Sequence, residues 1–116
     1  MYGITDIVNL VSHKVKNSFE GQYRYLNLKM GDRPGFSILH SALTLIDYIQ
    51  NQPKDAKVLI HCRGGRSRSV VLSVVYIMWK EGLDEREALE FVSSRHAESD
   101  PNLGFVGQLQ TLSERF

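Results

Sequence analysis

Cys62 is the chain's one cysteine, and Arg68 follows it six positions later. Arg63, Gly64, Gly65, Arg66 and Ser67 lie between them, His61 precedes the thiol and Ser69 follows the second anchor of the pattern. A thiolate is an intrinsically strong nucleophile. A guanidinium is a planar fork that grips two oxygens of a phosphate. A glycine-rich turn that opens a helix adds backbone N–H groups with no intrahelical acceptor, and together they make a cup for an anion. The same N–H groups and the positive helix end favour an ionised sulfur at the bottom of the cup. Residue types and spacing therefore point to an ionised sulfur nucleophile beneath a cup for an anion the size of phosphate, with Arg68 and the loop amides holding its oxygens.

Other readings of these residues explain less. Free cysteines are commonly inert and buried, but three arginines within six residues argue against apolar burial here. No partner is spaced to make His61 a metal ligand, so a buried imidazole whose hydrogen bonds set the cysteine loop is expected; neither a metal nor a cofactor is required. Arg63 and Arg66 either meet the substrate or keep the rim of the loop soluble.

Positioning this loop requires a strand ahead of it and a helix behind it. Lys57–Cys62 is a short apolar run without alternation, which suits a strand buried on both faces. The segment 68–81 is apolar nearly all round and stops at Gly82, which predicts a central helix. Upstream, Ile4–Val11 and Gln22–Met30 read as strands. Gly31-Asp32-Arg33-Pro34-Gly35 reads as a loop. Over Ser37–Gln50, apolar Ile38, Leu39, Ala42, Leu43, Ile46 and Ile49 oppose His40, Ser41, Asp47 and Gln50, which predicts an amphipathic helix. Asp84 with Glu87 three residues on forms a variant capping box, predicting a helix over Glu85–Ser94 that buries Ala88, Leu89 and Val92. Pro101-Asn102 opens a last helix with Phe105, Leu109, Leu112 and Phe116 on one face. The fold class is α/β: a central, mostly parallel sheet flanked by helices.

Bulk properties set limits. The 116 residues make one domain, 1–116. With 14 basic against 13 acidic side chains, the net charge of +1 provides no long-range field for nucleic acid or an anionic membrane. The run Val70–Trp79 falls well short of the ~20 apolar residues needed to span a bilayer. A single cysteine excludes an internal disulfide, and with no leader pattern at the N-terminus a reducing cytoplasm is expected.

The stretch His61-Cys62-Arg63-Gly64-Gly65-Arg66-Ser67-Arg68-Ser69 resembles the signature loop of the cysteine-dependent dual-specificity protein phosphatases. "GITDIVNL" and "YLNLKMGD" are similar to that family's strand and to its acid-bearing stretch. Arg95, Pro101, Asn102, Gly104, Phe105, Gln108 and Leu109 match its C-terminal pattern. The resemblance implies hydrolysis of phosphoprotein monoesters through a phosphocysteine. Cys62 would be the nucleophile, and Arg68 with loop residues Arg63, Gly64, Gly65, Arg66 and Ser67 would bind phosphate. Asp32 would be the general acid, although an aspartate in such a turn also serves its own backbone and Asp47 and Asp55 are rivals. Ser69 would donate to the sulfur; His61, Asn102 and Arg95 would brace the loop.

Family members usually carry a further strand and helix ahead of the "GIT" segment. An edge left open by their absence would favour a weak homodimer. Two alternatives come from other classes. "CRGGRS" also resembles the shorter loop of rhodanese-like sulfurtransferases, with Arg66 in place of Arg68, but those chains continue with another strand. A non-catalytic phosphate-binding module is disfavoured because Cys62, Arg68 and Asp32 are all present.

Overall fold

In the computed structural model, residues 3–12, 16–17, 21–31, 36–62, 67–95 and 103–113 are described. They form β1 (Asp6–Asn9), β2 (Arg24–Asn27), α1 (Leu39–Gln50), β3 (Val58–His61), α2 (Arg68–Glu81), α3 (Glu85–Arg95) and α4 (Leu103–Ser113). The three strands make a parallel sheet in the order β2-β1-β3. In register, Asn9 stands beside both Asn27 and His61.

The central position belongs to β1, and all four of its residues are buried. The strand leading to Cys62, expected to be buried on both faces, is less deeply buried. β3 is an edge of the described sheet and all four of its residues are half-buried. Apolar composition is the same for a central strand and for an edge strand covered on its faces by helices. Pairing on both sides, which β1 has and β3 lacks, makes the difference.

α2 packs against α1, α3, α4 and β3, so the helix that begins at Arg68 is the hub of the domain. Val71, Leu72, Val74, Val75 and Met78 are fully buried along it. Its C-cap, Gly82, has φ 68°, and its N–H closes the last turn on the Met78 carbonyl at 3.0 Å. The capping box forms as predicted: Glu87 N–H donates to Asp84 Oδ1 at 2.8 Å, and Asp84 N–H to Glu87 Oε1 at 3.2 Å. In α3, Ala88 is buried while Leu89 and Val92 are half-buried against the core.

From α4, Phe105, Leu109 and Leu112 enter the core; Phe116 lies outside the described residues. Truncating fully buried Phe105 to alanine would cost about 3–5 kcal/mol. The buried stripe of α1 is rotated from the expected one. Ile38, Ser41, Ala42, Leu45 and Ile46 are buried, whereas Leu43 is 50% exposed. Steps of three, one, three and one from Ile38 define that stripe, and small Ser41 fits it despite its hydroxyl.

Candidate active site

β3 ends at His61, and Cys62 is the first residue beyond the strand. Leu10 N–H donates to the His61 carbonyl at 3.0 Å, which ties the strand end to β1. Cys62 is half-buried, and it borders a cavity of ≈ 300 Å³ lined also by Leu59, Ile60, His61, Ser69 and Val92. Ser69, the second residue of α2, donates its backbone N–H to Cys62 Sγ at 3.3 Å. That N–H is one of the helix's orphan donors, so the sulfur sits on the positive end of the hub helix. The donor at Ser69 is the backbone amide. Position in the first turn supplies it whatever the side chain.

Arg68 is only 8% exposed. One nitrogen, Nη1, donates to the Met30 carbonyl at 3.0 Å, while Nε is buried without a partner among the described residues. A buried guanidinium N–H left unsatisfied is costly in an apolar surrounding. An anion at the loop removes that cost, and the Nε edge of the fork presents parallel donors for it. Ser67, also buried, precedes Arg68, and its carbonyl accepts the Val71 N–H at 2.9 Å. Burial pushes the His61 imidazole below its ordinary 6.5, keeping it neutral at pH 7.

The structure thus brings together His61, Cys62, Ser67, Arg68 and Ser69. Asp32, Arg63, Gly64, Gly65, Arg66 and Asn102 lie outside the described residues. Arg95 is exposed at the end of α3, where its guanidinium stacks 3.7 Å from the centre of the Phe91 ring and bonds the Phe91 carbonyl; these described contacts are local to α3. Asp47 is exposed on α1 and Asp55 is exposed in the turn before β3.

Three contributors were not foreseen. Buried Asn9 ends β1 beside His61; its Oδ1 accepts the Val11 N–H at 3.0 Å and its Nδ2 donates to Asn17 at 2.9 Å. The Met30 carbonyl orients Arg68, and Gln108 braces the start of α1. Asn9 had a readable signal, a polar amide within an apolar strand, whereas a backbone carbonyl carries none.

A family profile described as "Dual specificity phosphatase, catalytic domain" matches residues 1–115. Human dual specificity protein phosphatase 4 is 38% identical over 109 residues, covering 92% of this chain and 27% of that protein. Arabidopsis thaliana protein-tyrosine-phosphatase MKP1 is 32% identical over 114 residues, 97% of this chain and 14% of that protein. The chain therefore spans well under half the length of these curated relatives. Among solved structures, the human tyrosine phosphatase-like serine/threonine/tyrosine-interacting protein superposes with a TM-score of 0.87 at 32% identity, covering 97% of this chain and 78% of that one. After α2 the described elements are helices, without the further strand expected of a rhodanese-like chain. By its fold, its cysteine–arginine site and its sequence match, this chain belongs to the dual-specificity phosphatase catalytic-domain family.

Proposed function

We propose that this chain hydrolyses phosphate monoesters on phosphoproteins, both phosphotyrosine and phosphoserine or phosphothreonine, through a phosphocysteine intermediate. The observation that carries this is a pair: the buried Arg68 guanidinium, held on one side by the Met30 carbonyl with its Nε unpartnered among the described residues, and the Cys62 sulfur seated on the Ser69 N–H.

Cys62 thiolate attacks phosphorus, a sulfur–phosphorus bond forms and the phosphorus–oxygen bond to the leaving group breaks. Arg68 and the loop amides of residues 63–67 meet the charge on the three non-bridging oxygens. Asp32 gives its proton to the departing oxygen. Water then attacks the phosphocysteine, Asp32 takes up the water's proton, and inorganic phosphate leaves with the thiolate restored. Ser69 N–H stabilises that thiolate as the leaving group of the second step, and His61 and Asn102 brace the loop.

Rates on a phosphotyrosine peptide, a phosphothreonine peptide and a phosphoinositide, with thiosulfate as the sulfur-transfer control, test the substrate class. Turnover of both peptides above the lipid is expected; sulfur transfer from thiosulfate, or turnover of the lipid alone, would refute it. The family's phosphoprotein chemistry and the lone cysteine favour a cytoplasmic setting without nucleic-acid or membrane partners. Localisation by microscopy of a tagged protein checks this, and a membrane or nucleic-acid-bound pool would contradict it. The half-buried edge strand β3 favours weak pairing with a second copy; a monomeric mass in light scattering at micromolar concentration would count against that.

A further inference from the structure

Asp32 lies in sequence between Gly31 and Phe36, the described residues nearest to it on either side. Both of these flanks are tied down, and from different elements. On the first side, Arg68 Nη1 holds the carbonyl of Met30 at 3.0 Å. On the second, the Gln108 side chain reaches over from α4 and makes two bonds. Its Oε1 accepts the Ile38 N–H at 2.7 Å and its Nε2 donates to the Phe36 carbonyl at 2.7 Å. The flanks also meet each other: a Cβ built on Gly31 would come within 2.9 Å of the Phe36 ring. A side chain at residue 31 would force the Phe36 ring to shift.

Ile38 is the N-cap of α1, and no side-chain cap bond comes from it. In a capping box the third helical residue returns an acceptor to the N-cap N–H. That position is Ser41, which is buried in the stripe of α1, and Gln108 supplies the acceptor from another helix instead. A carboxamide presents an acceptor and a donor side by side in one plane. Gln108 therefore pairs with residues 36 and 38 as a neighbouring strand would, and it fixes the place of this segment as well as its backbone direction. Burial of Ile38, Ala42, Leu45 and Ile46 is enough to form α1 without it.

We propose that Gln108 is a positioning residue for acid catalysis: opposite Arg68, it holds Phe36 and Ile38, the described residues that follow Asp32 in the sequence, and so serves protonation of the leaving oxygen. This role rests on Asp32 being the acid, as proposed above.

The test compares aryl phosphates whose phenols range from strongly to weakly acidic, in wild type, Asp32→Asn, Gln108→Leu and the double variant. Protonation matters only where the leaving group is poor. Gln108→Leu is expected to lower kcat for poor leaving groups by roughly tenfold or more, with good ones and KM held within about twofold. In the Asp32→Asn background it should cause no further loss. Gln108→Glu keeps the shape; ionised, it sets an oxygen against the Phe36 carbonyl, and protonated, it restores the donor. Its rate on poor leaving groups should climb toward wild type as the pH falls.

If Asp32→Asn slows every ester alike, Asp32 is not the acid and the role of Gln108 falls with it. If Asp32→Asn behaves as loss of an acid but Gln108→Leu slows every ester alike, or adds its full effect to the double variant, Gln108 serves the fold and the proposal is overturned. Should the leucine variant not fold, a pH-independent ratio of Gln108→Glu to wild type overturns it.

Discussion

The sheet buries one ionised group near each end, and the two are treated in opposite ways. Where β1 begins, Asp6 is fully buried and its carboxylate accepts four hydrogen bonds. They come from Thr5 Oγ1 at 2.6 Å, Arg24 Nε at 3.1 Å, Arg24 Nη2 at 2.8 Å and Tyr48 Oη at 2.6 Å. Burial alone would raise its pKa, but the bonds from Arg24, Thr5 and Tyr48 outweigh it and hold the carboxyl below its ordinary 3.8. The same burial, with the Asp6 charge beside it, pushes the Tyr48 phenol up. Where α2 begins, Arg68 is buried almost as deeply, yet its Nε has no partner among the described residues. A carboxylate accepts about four hydrogen bonds, so Asp6 is saturated. Arg68 is not. The first arrangement clasps β1, β2 and α1 together, and the second leaves a donor for the phosphoryl group proposed above.

Arg68→Lys breaks the contrast most severely, since a lysine keeps the charge but cannot span the Met30 carbonyl and an anion at once. Turnover is expected to fall by about 10²–10³-fold, the scale of losing one transition-state donor, with little change in the unfolding midpoint. Steady-state kinetics and a urea titration check both halves. A large stability loss with intact turnover per folded molecule would reverse the roles assigned to the two ends.

Asp6→Asn probes the other end. It replaces one carboxylate oxygen, which accepts two of the four bonds, by an amide NH2 that faces those two donors, so about 2–4 kcal/mol of stability should be lost while kcat stays near wild type. A smaller effect follows with pH. Because the folded-state pKa of Asp6 is depressed, its contribution is complete above the unfolded value and is lost as pH falls below 3.8 through the folded value. The gap in urea midpoint between wild type and Asp6→Asn should therefore narrow between about pH 5 and pH 3. A constant gap would mean that the carboxylate's charge contributes nothing to the clasp.

Much of this was legible from local chemistry. The Asp84–Glu87 box and the Gly82 stop depend on neighbours within four residues, so residue type alone predicts them. The strand end at His61 and the helix start at Arg68 are local in the same sense. What stayed hidden depends on partners far along the chain. Whether β1 or β3 is central is decided by pairing, and apolar composition does not encode it. Arg68 meets a backbone carbonyl 38 positions earlier, and Gln108 meets backbone groups 70 and 72 positions away. The rotated stripe of α1 was missed because Leu43 and Leu45 are chemically alike and Ser41 is polar yet small enough to bury. Asp6 and Asn9 did leave a signal, as two polar residues in a strand that is otherwise apolar, and both prove to be fully buried and hydrogen-bonded.

The claim at the centre is that the unsatisfied end of the sheet receives a phosphoryl group and passes it to Cys62. The direct measurement is acid quenching during turnover of an aryl phosphate, followed by peptide mass spectrometry of wild type and Cys62→Ser. A single phosphoryl group on the Cys62 peptide of the wild type is predicted, with turnover in the serine variant reduced by ~10⁴-fold or more. Near wild-type turnover by Cys62→Ser, or a phosphoryl group trapped on a different residue, would contradict it.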